Sequence, residues 1–446
     1  MSCNHLLLTT DDLHYVNVKK LMHKTILKII GIILLCSAMA YAASDVYLSL
    51  SAHGSRVNLG ISSFNPMTPA PAEVNFAKQI MEVIRYDILF SRYFNVVENG
   101  PAFTGTESNA KDWLNRGAEI LVTGDIKIKD NDITLLCKLV DIESREAIWQ
   151  KEYKAKAADY RGLAHAINDE IIYRFTGERG IAHSRIVFAN RSGAGGKEIC
   201  IIDYDGAGMK KLTRGGSINM FPRWSPDGKE IVFTTFLYGN PDLYSISPEG
   251  GDMKPVSFRQ GLNATGSFST DGANLAVTLS MGKDPSLYLL DRSGKILKQL
   301  TFDRGIETSP TFSPNGKEMA FISDKPGFPQ VYIMNIEGGN QRRLSTKGYC
   351  DSPAWSPRGD KIAFVMREGR GNYDIYVYDL AGTSNDRLTQ GEGNNQNPSW
   401  SPDGRFLVFA SSRSGKSELY IIGVDGSGAR KLGKIAGEST MPWWGP

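Results

Sequence analysis

A tyrosine returns every 44 residues along the second half of the chain, at Tyr244, Tyr288, Tyr332, Tyr376 and Tyr420, and one further step back reaches Cys200. An aromatic residue followed by a turn keeps the same beat. It reads Trp224-Ser225-Pro226-Asp227-Gly228, Phe268-Ser269-Thr270-Asp271-Gly272, Phe312-Ser313-Pro314-Asn315-Gly316, Trp355-Ser356-Pro357-Arg358-Gly359 and Trp400-Ser401-Pro402-Asp403-Gly404, at spacings of 44, 44, 43 and 45. A repeat of about 40–45 residues built from short β-rich runs is the pattern of a propeller blade.

Within one period, Pro222 to Ser225 reads as a first strand and Ser-Pro-Asp-Gly as a tight hairpin turn, with Pro and Gly where a turn wants them. Glu230–Thr235, Asp242–Ser247 and Lys254–Ser257 supply the second to fourth strands. The first unit offers only three: Arg185–Asn190, Glu198–Asp203 and Lys210–Thr213. It lacks an innermost strand. The last residues, Ser439-Thr440-Met441-Pro442-Trp443-Trp444, match Asn219-Met220-Phe221-Pro222-Arg223-Trp224 and complete that first blade. Such closure protects sheet edges that would otherwise pair with other chains. The expected fold is therefore mainly β, a six-bladed β-propeller over 181–446, closed by its C-terminal strand.

Residues 43–180 have a different texture and read as a small α/β domain. Strand-like runs cover Val46–Leu50, Val57–Ile61, Phe94–Glu98, Glu119–Lys127, Ile133–Asp141 and Glu146–Lys154, with a last helix at Asp159–Phe175. Glu73–Phe90 carries Val74, Ala77, Ile80, Met81, Ile84 and Ile88 at helical spacing, which puts them on one face. Gly177–Ser184 is the linker.

Ahead of both lies an address. Lys19, Lys20, Lys24 and Lys28 precede the apolar run Ile29–Cys36, and Ala38, Ala40 and Ala42 follow it. This is a secretory signal, with cleavage expected after Ala42, residues 1–42 as the leader and Met22 as the start. The run is far shorter than the ~20 residues of a membrane span, so an exported chain without membrane insertion is expected.

Composition narrows the function classes. Fifty-one Lys and Arg face 48 Asp and Glu, for a net +3. That balance argues against nucleic acid, whose phosphates require a clustered positive field. Cys137, Cys200 and Cys350 remain after the leader and read as small buried hydrophobes. His53, His165 and His183 stand far apart, without the spacing of a metal site. Ala410-Ser411-Ser412-Arg413-Ser414-Gly415-Lys416-Ser417 looks like a phosphate loop but precedes a strand rather than the helix such a loop must open. Asp203-Tyr204-Asp205-Gly206 hints at a calcium loop, yet lacks the later ligands and reads as a strand-to-strand turn. No catalytic constellation, cofactor or metal is expected.

What remains is a surface. Propeller topology gathers the segments entering the innermost strands at one end of the channel: Asn219-Met220, Asn263-Ala264-Thr265, Glu307-Thr308, Asp351-Ser352, Asn395-Gln396 and Ser439-Thr440. Loops clustered on a rigid scaffold commonly carry binding.

The chain resembles the TolB family, the exported component of the Tol–Pal system of Gram-negative bacteria. The resemblance covers about residues 44–446 and rests on the order of signal, α/β domain and propeller. More specific pieces are Ser91-Arg92-Tyr93-Phe94-Asn95, Asp203-Tyr204-Asp205-Gly206, Ala320-Phe321-Ile322-Ser323-Asp324 with Pro329-Gln330-Val331-Tyr332, and the terminal Pro-Trp closure. It implies a periplasmic, monomeric, non-enzymatic adaptor supporting outer-membrane integrity and envelope constriction at division. The lipoprotein Pal would dock at the channel mouth named above, and TolA on the N-terminal strand Asp45-Val46-Tyr47-Leu48-Ser49-Leu50. That segment follows the family pattern only loosely. Some members are also hijacked by colicins. The competing readings are a propeller-based hydrolase or lyase, and a periplasmic carbohydrate binder.

Overall fold

The computed structural model describes residues 56–446, apart from 69, 282, 283 and 383. The leader and the Asp45–Leu50 strand lie outside the described residues.

The N-terminal part runs β1 (Asn58–Ile61), β2 (Asn65–Pro66), α1 (Pro71–Ser91), β3 (Asn95–Val97), α2 (Glu107–Asn115), β4 (Ile120–Lys129), β5 (Asp132–Asp141), β6 (Ala147–Lys156) and α3 (Tyr160–Thr176). Its sheet has the order β3-β1-β4-β5-β6, with β1 parallel to β3 and β4 and the long strands antiparallel. Alternation along β4 gives the sheet two buried faces: Ile120, Val122 and Ile126 pack toward α1 and α3, while Leu121 packs against Trp113 of α2.

Pro71 opens α1, its fixed φ suited to a first helical turn. Ala77, Ile80, Met81, Ile84 and Ile88 are buried as their spacing predicts, but Val74 is 51% exposed. The first turn instead directs Glu73 inward, where its carboxylate accepts the backbone N–H groups of Thr68 and Ile128 at 2.8 and 2.9 Å. These bonds hold its pKa below the usual carboxylate value. At the other end Gly177, at φ 71°, caps α3.

The remainder is a closed ring of six four-stranded antiparallel sheets. Innermost in each are Asn219–Trp224, Asn263–Phe268, Glu307–Phe312, Tyr349–Trp355, Asn395–Trp400 and Glu438–Trp444. The last of these pairs with Arg185–Arg191 and completes the first blade, Trp444 facing Ile186. The Trp444 indole N–H donates to Ser184 Oγ at 2.8 Å.

The two sequence markers have local causes. Each repeated tyrosine lies opposite a second-strand apolar residue, as in Phe233–Tyr244, Val277–Tyr288, Phe321–Tyr332, Phe364–Tyr376 and Phe409–Tyr420, with Cys200 taking the place opposite Phe188. Such cross-strand pairs stabilise a sheet. In the turn, Ser225 Oγ donates to Asp227 Oδ1 at 2.7 Å and accepts from Glu230 N at 3.0 Å, while Gly228 takes φ 67°. Ser313 with Asn315 and Ser401 with Asp403 repeat the arrangement.

One expectation needs correcting. The inner strands start three residues earlier than the Pro222–Ser225 reading, so the mouth segments are strand rather than loop. Asn219 and Met220 pair with Thr235 and Thr234, and the register then slips before Arg223 meets Val232. A β-bulge separates the two halves, and the other inner strands carry the same irregularity.

Candidate functional site

The bulge decides which mouth residues face outward. The residue just inside the mouth of each inner strand, Asn219, Asn263, Glu307, Cys350, Asn395 or Ser439, is buried to within 3%. These side chains bind neighbouring backbone and side chains. Asn219 Nδ2 donates to Lys197 O at 2.9 Å, and Asn263 Nδ2 to Pro241 O and Arg259 O at 3.1 and 2.6 Å. Asn395 Nδ2 reaches Asp374 Oδ1 at 3.1 Å while its Oδ1 accepts from Arg413 at 3.2 Å. Glu307 accepts the Ser323 hydroxyl at 3.2 Å, and burial pushes its carboxyl pKa up. Ser439 Oγ accepts from Asn190 at 3.1 Å. Their polarity serves the scaffold.

The second residues, Met220, Ala264, Thr308, Asp351, Gln396 and Thr440, are half-buried or exposed and form the accessible ring. The side chain of Thr265 lies outside the described set. Third in line come Phe221, Ser309, Ser352, Asn397 and Met441, all at φ between 51° and 55° and all followed by proline. A non-glycine residue in the left-handed region costs about 1–2 kcal/mol. Such outliers persist only where the surroundings impose them. Here the buried first residue and the fixed proline hold the bulge from both sides. Asn397 Nδ2 also donates to Ser352 Oγ at 3.0 Å, linking adjacent blades. Burial raises the pKa of Asp351, whose Oδ1 accepts its neighbour's backbone N–H from Ser352 at 2.6 Å. The ring carries one acid, Asp351, among neutral side chains, of which Met220 and Gln396 are the largest.

Other sequence candidates fall into place. The phosphate-loop look-alike is the connection between the antiparallel strands Phe406–Ser411 and Glu418–Gly423. The three cysteines are buried free thiols, with Cys137 and Cys200 pushed up to about 12 and Cys350 to about 11 by desolvation. Two of the histidines read as far apart meet in space: the rings of His165 and His183 are 6.0 Å apart. His165 Nδ1 lies 2.7 Å from Asp87, which also accepts the Tyr204 hydroxyl. Asp203-Tyr204-Asp205-Gly206 is the turn expected, with Gly206 at φ 91°. Its side chains nevertheless reach the N-terminal part, Tyr204 to Asp87 and Asp205 to Arg161. That second role escaped the sequence reading, although Tyr204 stands where the corresponding turns place Pro248 and Ile336.

Fold and mouth together define a closed propeller with an appended α/β part and a rigid ring of small side chains at one channel end. Family models for the TolB β-propeller domain match residues 172–369 and 345–446, and one for the TolB amino-terminal domain matches 52–148. The chain belongs to the TolB family. The Tol-Pal system protein TolB of Desulfosudis oleivorans is 34% identical over 231 residues, 50% of this chain and 52% of that one. The match thus spans about half the length of that relative. The TolB homolog of Chlorobium chlorochromatii is 35% identical over 396 residues, covering 85% of this chain and 68% of its own. The crystal structure of TolB from Acinetobacter baumannii superposes with a TM-score of 0.76 at 27% identity, covering 88% of this chain and 97% of that one.

Proposed function

We propose that the chain is a non-enzymatic, monomeric periplasmic adaptor of the Tol–Pal system, exported by cleavage after Ala42. Residues 43–180 would form its N-terminal domain and 181–446 its propeller. Pal docks at the channel mouth, and TolA engages the Asp45–Leu50 strand. The reading supports a role in outer-membrane integrity and in constriction at division.

The observation that carries it is the ring of Met220, Ala264, Thr308, Asp351, Gln396 and Thr440. Five of the six stand beside a proline-braced bulge, Ala264 being followed by Thr265-Gly266 instead, and each follows a buried neighbour. A preformed surface loses little conformational freedom on binding. Small side chains leave room for a partner's loop, and an introduced cation there is desolvated without a partner on docking. Calorimetric titration of purified Pal into Thr308→Arg and Gln396→Arg should show at least about a tenfold loss. Lys229→Glu, at the other end of the channel, should bind normally. Unchanged affinity in both mouth variants, with wild-type circular dichroism, would exclude the mouth as the docking surface.

A further inference from the structure

We propose that the opposite end of the channel holds a binding site for an organic carboxylate with an apolar body, and that Arg223 is its anion partner. This site lies away from the mouth and does not depend on the adaptor reading.

The residues at which pairing resumes after each bulge are Arg223, Ser267, Thr311, Ala354, Ser399 and Trp443, and all six line one cavity of about 390 Å³. Four are small, which leaves the space. Arg223 and Trp443 share one side, the guanidinium carbon 4.2 Å from the indole centroid. Toward the turn end Pro226, Pro314, Pro357 and Pro402 supply apolar wall, with Ser225, Thr270, Ser356 and Ser401 among them. The volume falls within the ~300–1,000 Å³ of small-molecule sites.

Arg223 is the unusual member. Its guanidinium donates one bond, from Nη1 to the carbonyl of Pro222 at 2.9 Å, and among the described residues it meets no carboxylate. Desolvation alone holds its pKa down to about 9, with no acid opposing the shift. Two other propeller arginines do meet an acid, Arg387 with Asp374 at 2.5 Å and Arg413 with Glu392 at 2.6 Å. Arg223 is half-buried, and a cation partly withdrawn from water with no acid beside it is costly unless something neutralises it. A planar fork of donors matches a carboxylate.

The walls select the rest of the ligand. One arginine suits a single negative charge, and a multiply charged phosphate would require more cationic donors; the aromatic and proline surface, interrupted by serine and threonine hydroxyls, fits an apolar body. Two sources share this chemistry: a free aryl or alkyl carboxylate, and the C-terminal carboxylate of an apolar peptide.

The test titrates the exported full chain with 2-naphthoate, followed by tryptophan fluorescence and by the shift in melting temperature. Saturable binding is expected, with 2-naphthamide at least about tenfold weaker, since a hydrogen bond to a charged group is worth ~1.5–3 kcal/mol. Arg223→Gln should lose binding by a similar factor and Arg223→Lys by less, while Thr308→Arg binds as wild type. Competition by an apolar tripeptide acid, but not by its amide, assigns the site to a peptide terminus; its failure assigns it to the free carboxylate. Equal binding of acid and amide by the wild-type chain, no saturable binding, or full affinity in Arg223→Gln would overturn the proposal. The acid–amide comparison needs no variant to fold.

Discussion

Tyr204, in a propeller turn, donates its hydroxyl to Asp87 of α1 at 2.5 Å, across the join between the two parts of the chain. Asp87 accepts from both sides, since its other oxygen lies 2.7 Å from His165 Nδ1 on α3. Apolar rings shield this pair of bonds: Phe90 lies 5.0 Å from Tyr204 and 4.4 Å from Phe406. Arg430 with Tyr86 and Arg161 with Asp205 flank them. Burial pushes up both the Asp87 carboxyl and the Tyr204 phenol. The join sets a bonded polar cluster inside an apolar shell, with His165 Nε2, Arg161 Nε and Arg430 Nη2 buried and without a hydrogen-bond partner.

Tyr204→Phe keeps the ring and leaves Asp87 Oδ1 without its donor. An unsatisfied buried acceptor costs about 1–3 kcal/mol. Urea denaturation should show that loss, with Pal affinity at the mouth unchanged. A stability equal to wild type would mean that water takes the place of the phenol.

His183 gives the join a pH dependence. Its hydrogen bond to Asp169, at 2.8 Å, raises its pKa above 6.5. A raised folded pKa contributes stability in full below the unfolded value and loses it as pH rises through the folded one. The melting temperature of His183→Ala should therefore fall furthest below wild type near about pH 5.5 and approach it by about pH 9. A gap that widens with pH would contradict the pairing.

Trp444→Ala removes a 4%-exposed side chain and its bond to Ser184 from the first blade. Loss of a buried tryptophan costs about 3–5 kcal/mol, against a total of roughly 5–15 kcal/mol for a domain. Calorimetry should show a large drop in melting temperature. A small one would mean that the closing strand contributes little.

Asn395 and Gln396 are neighbours with opposite duties. Asn395→Ala strips a buried amide from Asp374 and Arg413, so unfolding free energy should fall by about 1–3 kcal/mol. Gln396→Arg should leave stability within about 0.5 kcal/mol and weaken Pal instead. Paired denaturation and calorimetric titrations separate the two, and an exchange of phenotypes would refute the division of the ring.

Ser309, at φ 55°, tests the strain. Glycine there should gain roughly 0.5–1 kcal/mol, after its own unfolded-state entropy is counted, while valine should lose about 1–2 kcal/mol. Thermal melts of both variants suffice. A stabilising valine would show that the bulge is not imposed.

The ring and its closure were legible because the same local chemistry recurs: a serine hydroxyl bound to Asp or Asn in the turn, and a third-strand tyrosine opposite an apolar residue. Helices α1 and α3 were legible from their spacing, to within a few residues of each end. Helix α2 was not, since nine residues carrying one buried tryptophan set up no period. The bulge hid because its left-handed position holds Phe, Ser, Asn or Met, none a glycine signal. The polar first residues of the inner strands look solvated in sequence and are buried in the fold. The join escaped because Asp87 meets His165 and Tyr204 from 78 and 117 residues away.

The partner of Trp444 lies 260 residues earlier, at Ser184. During synthesis at about 5–20 residues per second, roughly 13–50 s separate the emergence of the two. Throughout that interval the strand Arg185–Arg191 presents a bare row of donors and acceptors on its inner side. Any β-rich segment it meets is a competitor for that row. A ring sealed by this strand stays open until the strand is made, so the inner edge of the first blade is the edge that must wait longest for its partner.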